Sequence, residues 1–341
     1  MKPLISIIIP AYHIAGLLPG MVKDLLGQPF KFFEILIVIR ADDPDTAAVA
    51  EELSKSDDRV RVICRKEPGV SSGRNAGIEA AQGEYIVFPD GDDRVTRGYL
   101  GTLIGTIADS KKKLLSKGFP RISAQMGLIG YDVIEEDRAI DQTEESGIRV
   151  MNQEDFLCRL FFQENYQGYV WNKIFKKSII DKFNLRFDER VYYREDQLFV
   201  CEYALHCDAI RYNPARMYHY VQRSDSATAA LMPEDGVLDI KTLEREMTQC
   251  IAFSKMRSLL KEHEDPQWFL EQEYVFYALE TFYRMRLVED HEYFKDSYFR
   301  DIAKEILSIE YYPLDDWEKE QLDSLKKYEQ TGITEENKDE G

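Results

Sequence analysis

Hydrophobic and polar positions alternate in blocks over the first 95 residues. Ile5–Ile9 is an unbroken apolar, β-branched run stopped by Pro10. Leu17–Leu26 carries its apolar residues at helical spacing. Glu34–Ile39 reads as a second buried strand, Thr46–Lys55 as an Ala- and Glu-rich helix, and Arg59–Cys64 as a third, alternating strand. Ser72–Ala81 is helical, with Gly83 at a C′ position. Tyr85–Phe88 is the fourth strand. Buried runs alternating with short helices predict an α/β fold, with a parallel sheet and right-handed crossovers. Ligands of such sheets bind beyond the carboxyl ends of the strands.

The pattern then loosens. Tyr99–Leu115 reads as a helix ending in Lys111–Lys113, which suits the negative end of a helix dipole. Ala124–Ile134 is strand-like, and Asn152–Phe162, Ile174–Phe183 and Gln197–His206 read as helices. From Asp235 the chain is helical and rich in Tyr, Phe, Glu and Lys; Tyr274–Tyr283 suits a core, a cap or a homodimer surface. The polar tail after Thr331 reads as disordered.

Composition narrows the function. In 341 residues, 44% are hydrophobic and 31% charged, the balance of a soluble globular protein. The net charge is −18, and residues 231–341, with 28 acidic and 14 basic side chains, carry −14 of it. Bulk charge therefore argues against nucleic acid as a partner and against electrostatic attachment to an anionic membrane. Five scattered cysteines without a C-x-x-C pair read as reduced and cytoplasmic. The N-terminus has no signal-peptide pattern, and no apolar run approaches the roughly 18 residues of a membrane span.

Three segments carry candidate chemistry. Phe88-Pro89-Asp90-Gly91-Asp92-Asp93 sets three carboxylates around a glycine at a strand end. Their oxygens suit Mg²⁺ or Mn²⁺, and Gly91 permits a tight turn; a solvated acidic turn is the plain alternative. Gly69-Val70-Ser71-Ser72-Gly73-Arg74-Asn75-Ala76-Gly77 opens a helix that Ser71 or Ser72 can cap. It also contains G-x-S-x-G, the context of a hydrolase nucleophile, with His206 and His219 downstream. Glu195-Asp196 precedes an apolar helix, where a carboxylate can stabilise the dipole or act as a general base.

These residues resemble family 2 glycosyltransferases, which have the GT-A fold. Ser6–Tyr12 resembles the family's opening strand. Gly69–Ile78, Gly83–Ile86 and Asp90–Asp93 resemble its helix, strand and D-x-D run. Val170–Phe175 resembles its acceptor-side segment and Glu195-Asp196 its E-D motif. Tyr218–Tyr220 and Ser224–Thr228 resemble the stretch that comes after the E-D motif in the family. The resemblance implies a Rossmann-like GT-A domain over 1–230, with a nucleotide-binding half (1–95) and an acceptor-side half (96–230). Beyond it come a helical C-terminal region (231–330) and a tail (331–341).

The resemblance further implies a metal-dependent, inverting, single-sugar transfer from a nucleotide-diphosphate sugar to a hydroxyl of a saccharide or lipid-linked acceptor. A UDP-sugar is the default donor. The setting implied is surface polysaccharide or glycolipid assembly, cytoplasmic or peripheral at the inner membrane face. Pro10, Ala11, Tyr12, Asp42, Asp43, Ser71, Arg74, Asp90 and Gly91 would bind the nucleotide sugar. Asp92 and Asp90 would hold Mg²⁺ or Mn²⁺, with Asp93 supporting. Asp196 would take the acceptor proton, with Glu195 as its neighbour or as the base itself. Trp171, Asn172 and Lys173 would lie on the acceptor side.

The sequence also departs from the family. His13 stands where Asn is usual. Ile39 and Arg40 fill the usual place of base-reading acids, unless Asp42 or Asp43 takes it after a short insertion. The Q-x-x-R-W motif of processive synthases is absent around Gln222-Arg223-Ser224. The competing readings are a degenerate nucleotide-sugar-binding module and a serine hydrolase using Ser71.

Overall fold

The computed structural model describes residues 2–107, 124–135, 138–140, 147–162, 168–223, 240–286 and 297–331. Lys111–Lys113, the expected helix beyond residue 107, Ser224–Thr228 and the tail after Thr331 lie outside the described residues. The chain divides into two compact units, Met1–Arg190 with Arg194–Arg223, and Val191–Tyr193 with Ser224–Gly341.

The first unit is built on a mixed sheet. Strands β1 (Ile5–Ala11), β2 (Phe33–Arg40), β3 (Val60–Arg65) and β4 (Tyr85–Val87) run parallel in the order β3-β2-β1-β4. Helices α1 (Leu18–Leu26), α2 (Pro44–Ser56) and α3 (Val70–Ala80) connect them. The sheet continues from β4 through β9 (Lys173–Lys176), β6 (Met126–Glu135) and β10 (Ile210–Val221) to β5 (Arg94–Val95). β9 is antiparallel to both its neighbours, whereas β6 and β10 pair in parallel. Short β7 (Arg138–Ile140) and β8 (Arg149–Met151) pair with β6 and β10. Helices α4 (Tyr99–Ile107), α5 (Gln153–Phe162), α6 (Lys177–Phe183) and α7 (Glu195–Ala204) complete the unit.

β1 and β2 are continuous apolar runs because both faces of the sheet are covered. Ile5, Ile7 and Ile9 join one core cluster with Leu18, Met21, Val22 and Leu25 of α1. Ile8, on the opposite face, meets α3, where a Cβ on Gly77 would stand 2.2 Å from its Cγ2. Each such isoleucine contributes about 1.5–3 kcal/mol by leaving water. The glycine is what lets α3 lie this close, and α3 carries Arg74.

The second unit contains α8 (Ile240–Leu259), α9 (Glu264–Arg286), α10 (Ser297–Leu307) and α11 (Asp316–Thr331). Phe253 stacks on Tyr274 at 5.1 Å, and Gln249 donates to buried Thr281 at 2.9 Å.

Four local expectations are corrected. Pro10 does not stop β1; it pairs with Val38. β4 accompanies β1 only from Ile5 to Ile7, so Pro10 sits where one side of the strand needs no donor. Ile174–Phe183 is not one helix, because β9 is inserted between β4 and β6 before α6 begins. Gly83 is not a helix cap: α3 ends at extended Ala81. A Cβ on Gly83 would meet the Ser6 backbone N at 2.6 Å, so its smallness serves the approach to β1. Finally, neither Ser71 nor Ser72 caps α3, whose N-cap is Gly69 at φ 95°.

Candidate active site

The carboxyl ends of β1 and β2 form the first wall. Tyr12 follows β1 and is 40% exposed. The Arg40 guanidinium, at the end of β2, lies 3.7 Å from the Tyr12 ring centroid, hydrogen-bonds its hydroxyl, and donates to Asp42 Oδ2 at 2.6 Å. Asp43 is spent locally. It caps α2 by accepting from the Thr46 N–H at 3.1 Å and accepts the His13 N–H at 2.6 Å. Burial alone would raise its pKa, but these donors hold it below the usual value. Of the two aspartates, Asp42 is the exposed one.

The start of α3 forms the second wall. Ser72 Oγ accepts from Arg65 Nη1 at 2.7 Å. Ser71 is buried inside the first helical turn, and its Oγ has no hydrogen-bond partner among the described residues. His206 stacks on Phe183 at 3.6 Å, and His219 Nδ1 lies 3.3 Å from Asp132. No described histidine therefore hydrogen-bonds Ser71, which removes the geometry a serine nucleophile needs. Arg74, one turn further, is buried. Its Nη1 donates to Glu195 Oε1 at 2.8 Å and its Nη2 reaches Asp90 Oδ1 at 3.4 Å. One guanidinium thus joins the strand-end aspartate to the carboxylate pair of α7.

The turn after β4 is held from three directions. Asp93 is buried and accepts the Tyr218 hydroxyl at 2.6 Å and the Val221 N–H at 2.8 Å. The Tyr218 hydroxyl also accepts the Asp90 N–H at 3.1 Å. Asp92 Oδ2 accepts from Arg223 Nη2 at 2.6 Å. Gly91 has no left-handed backbone; what it supplies is space, since a Cβ would stand 2.5 Å from Ile14 Cδ1. Asp90 keeps 31% of its side chain exposed but sits deep among protein atoms. Burial pushes its pKa up to about 6, against the pull of Arg74 and with the push of Asp92.

Glu195 and Asp196 open α7. Arg194, just before them, is left-handed at φ 66°, a strained conformation for a side chain of this kind. Asp196 Oδ1 accepts the Gln197 N–H at 2.8 Å. Burial and the Asp196 charge push Glu195 up to about 7, opposed by Arg74. Burial likewise raises Asp196. Lys173 is fully buried and donates to the Tyr169 carbonyl at 2.6 Å and Asn172 Oδ1 at 3.0 Å. Burial lowers its pKa to about 7, and Asp196 pulls the other way. Trp171 and Asn172 are also buried. Trp171 stacks on Tyr218 at 4.4 Å and Tyr169 at 4.7 Å, while Asn172 Nδ2 donates to the Ile129 carbonyl at 3.0 Å.

Sequence reasoning passed over Tyr218, Val221 and Arg223 as partners of the aspartate turn. The period-2 aromatics Tyr218 and Tyr220 were the available signal for the strand.

The family model described as Glycosyl transferase family 2 matches residues 6–154. The chain carries a family 2 glycosyltransferase domain. The match takes in the strand-end walls and the aspartate turn and stops before α7. EpsJ of Bacillus subtilis, an uncharacterized glycosyltransferase, is 27% identical over 253 residues, 74% of this chain and 70% of that protein. The GalNAc(5)-diNAcBac-PP-undecaprenol beta-1,3-glucosyltransferase of Campylobacter jejuni is 28% identical over 200 residues, 58% of this chain and 59% of that protein. Among solved structures, S. aureus TarS 1-349 in complex with UDP superposes at TM-score 0.62, with 13% identity, covering 98% of this chain and 92% of that one. The mannosyltransferase PcManGT of Pyrobaculum calidifontis, in complex with GDP-Man and Mn²⁺, gives 0.52 at 12% identity, covering 97% and 88%. The glycosyltransferase domain has the GT-A fold, with its central sheet largely parallel and a helical region after it.

Proposed function

We propose that this glycosyltransferase transfers one sugar, with inversion, from a nucleotide-diphosphate sugar to an acceptor hydroxyl. The observation that carries the reading is the Arg74 bridge, which holds the donor-side Asp90 and the α7 carboxylates in one cluster. Glu195 is engaged by Arg74, which leaves Asp196 to take the acceptor proton.

The donor set fits a hard divalent cation. Asp90 and Asp92 are the two part-exposed carboxylates of the turn, at 31% and 28%. Among the described residues no three His, Cys, Asp or Glu are grouped as a metal cage. Two carboxylates plus diphosphate oxygens is a common way to hold Mg²⁺ or Mn²⁺ in nucleotide sites. Such an ion, when bound, would neutralise charge on the departing diphosphate. Tyr12, Ser71 and Arg74, with Asp42 on the base side, belong to the donor wall, and Pro10, Ala11, Asp43 and Gly91 shape it. Trp171, Asn172 and Lys173 support the acceptor side from beneath.

A UDP-sugar is the default donor, supported by the UDP bound to the TarS structure. A lipid-linked or saccharide acceptor is supported by the undecaprenol-linked acceptor in the Campylobacter relative's name. Among the described residues no helix is long and apolar enough to cross a membrane. A peripheral location at the inner membrane face fits such an acceptor.

A thermal-shift panel of UDP, GDP, CDP and dTDP, each with and without Mn²⁺, tests the reading. A ligand that binds the native state raises the melting temperature by mass action. The expected result is a rise for one nucleotide that needs Mn²⁺. Unchanged melting with all four would overturn the donor site.

A further inference from the structure

Arg223 lies two residues past the end of β10. Its Nη2 donates to Asp92 Oδ2 at 2.6 Å, and its Nη1 lies 3.4 Å from the Asp92 carbonyl oxygen. The pair joins residues 131 apart in sequence, so it is a product of the fold. The same strand secures Asp93 through Tyr218 and Val221, which fixes where Arg223 enters the turn. Both members of the Arg223–Asp92 pair stay part-exposed, at 22% and 28%. Arg74, by contrast, is buried between Glu195 and Asp90. Of these two guanidiniums, Arg223 is therefore the one with solvent to move into.

A guanidinium on Asp92 does part of the work of a divalent ion. It offsets the mutual repulsion of three neighbouring carboxylates. A cation arriving at the same carboxylate meets that positive charge a few ångströms away. We propose that Arg223 is the resident counter-cation of Asp92 in the donor-free protein, and that a nucleoside diphosphate draws it away. Once moved, its planar fork of donors matches the diphosphate oxygens in bidentate fashion. Asp92 is then open to the divalent ion. Metal and nucleotide therefore enter together, and Arg223 becomes a donor-binding residue. The inference rests on the reading of Asp90–Asp93 as the donor site.

The test uses the full chain as wild type, Arg223→Gln and Arg223→Lys. Mn²⁺ alone is titrated first; UDP and GDP are then titrated at saturating Mn²⁺. Arg223→Gln is expected to bind Mn²⁺ alone about five- to tenfold more tightly and the nucleotide about five- to tenfold more weakly. Opposite signs for two ligands in one variant are something a merely structural role does not produce. Arg223→Lys keeps the charge and loses the fork. Its affinity for Mn²⁺ alone should stay at the wild-type value while nucleotide binding weakens, which keeps the test decisive if Arg223→Gln folds poorly. Unchanged or weaker Mn²⁺ binding in Arg223→Gln, or equal loss of both ligands in Arg223→Lys, overturns the proposal. If wild type binds neither nucleotide with Mn²⁺, the donor-site reading fails, and the Mn²⁺-only comparison still decides what Arg223 does to Asp92.

Discussion

The aspartate turn after β4 and the first turn of α7 both crowd carboxylates together, and they relieve the crowding differently. In the turn, each carboxylate has its own partner from a different element: Arg74 for Asp90, Arg223 for Asp92, and Tyr218 with Val221 for Asp93. Asp90 and Asp92 keep open faces. In α7, Glu195 takes the shared Arg74, and Asp196 relies on a backbone N–H and the charges around it. Two carboxylates left open suit a cation and a diphosphate that come and go. A pair in which a buried guanidinium engages only one member leaves the other to act as a proton acceptor. The difference lies in the partners rather than in the acids.

Removing the shared partner should do the most damage. Arg74→Met leaves Glu195 and Asp90 as uncompensated carboxylates, and breaking such a buried pair costs about 3–5 kcal/mol. Denaturant unfolding should show that loss, and transfer should vanish with it. A variant within about 0.5 kcal/mol of wild type would mean the two carboxylate groups are not joined through Arg74.

A smaller effect is expected at the far side of the turn. Tyr218→Phe removes one donor to buried Asp93 and should cost about 1–3 kcal/mol. Nucleotide affinity should fall as the turn loosens, whereas the Arg74–Glu195 link is untouched. Unchanged affinity would show that β10 does not set the position of the aspartates.

The last effect is a slope. Glu195 has a folded-state pKa of about 7, against an ordinary value of 4.5. Between these values the unfolded chain binds fewer protons, so the stability linked to this group is complete below about 4.5 and is lost as pH rises through about 7. Glu195→Gln should therefore flatten the fall in melting temperature of the ligand-free protein across that window. An identical pH profile in both proteins would place the titration elsewhere.

How much of the molecule was legible in the sequence depends on the range of the interactions. β1 and β2 announce themselves because burial on both faces makes them solid apolar runs. β9 did not, since its four residues run straight into α6 with no break between them, and only its two neighbours in the sheet define it. β10 was hidden by Asn213-Pro214, which sit at register shifts between it and β6. The aspartate turn and the α7 pair stand out as local clusters. What couples them does not, because Arg74 and Glu195 are 121 residues apart. Asp43 shows the converse, an acid open to a site role by sequence and committed by the fold to capping α2.

The most direct test of the central claim, that the carboxylates of the turn bind and the pair of α7 reacts, is one variant assayed twice. Asp196→Asn keeps the size of the side chain and removes its capacity to accept a proton. The account predicts nucleotide affinity with Mn²⁺ within about twofold of wild type and transfer reduced by about 10²–10⁴-fold. Transfer at the wild-type rate with nucleotide binding intact would contradict it.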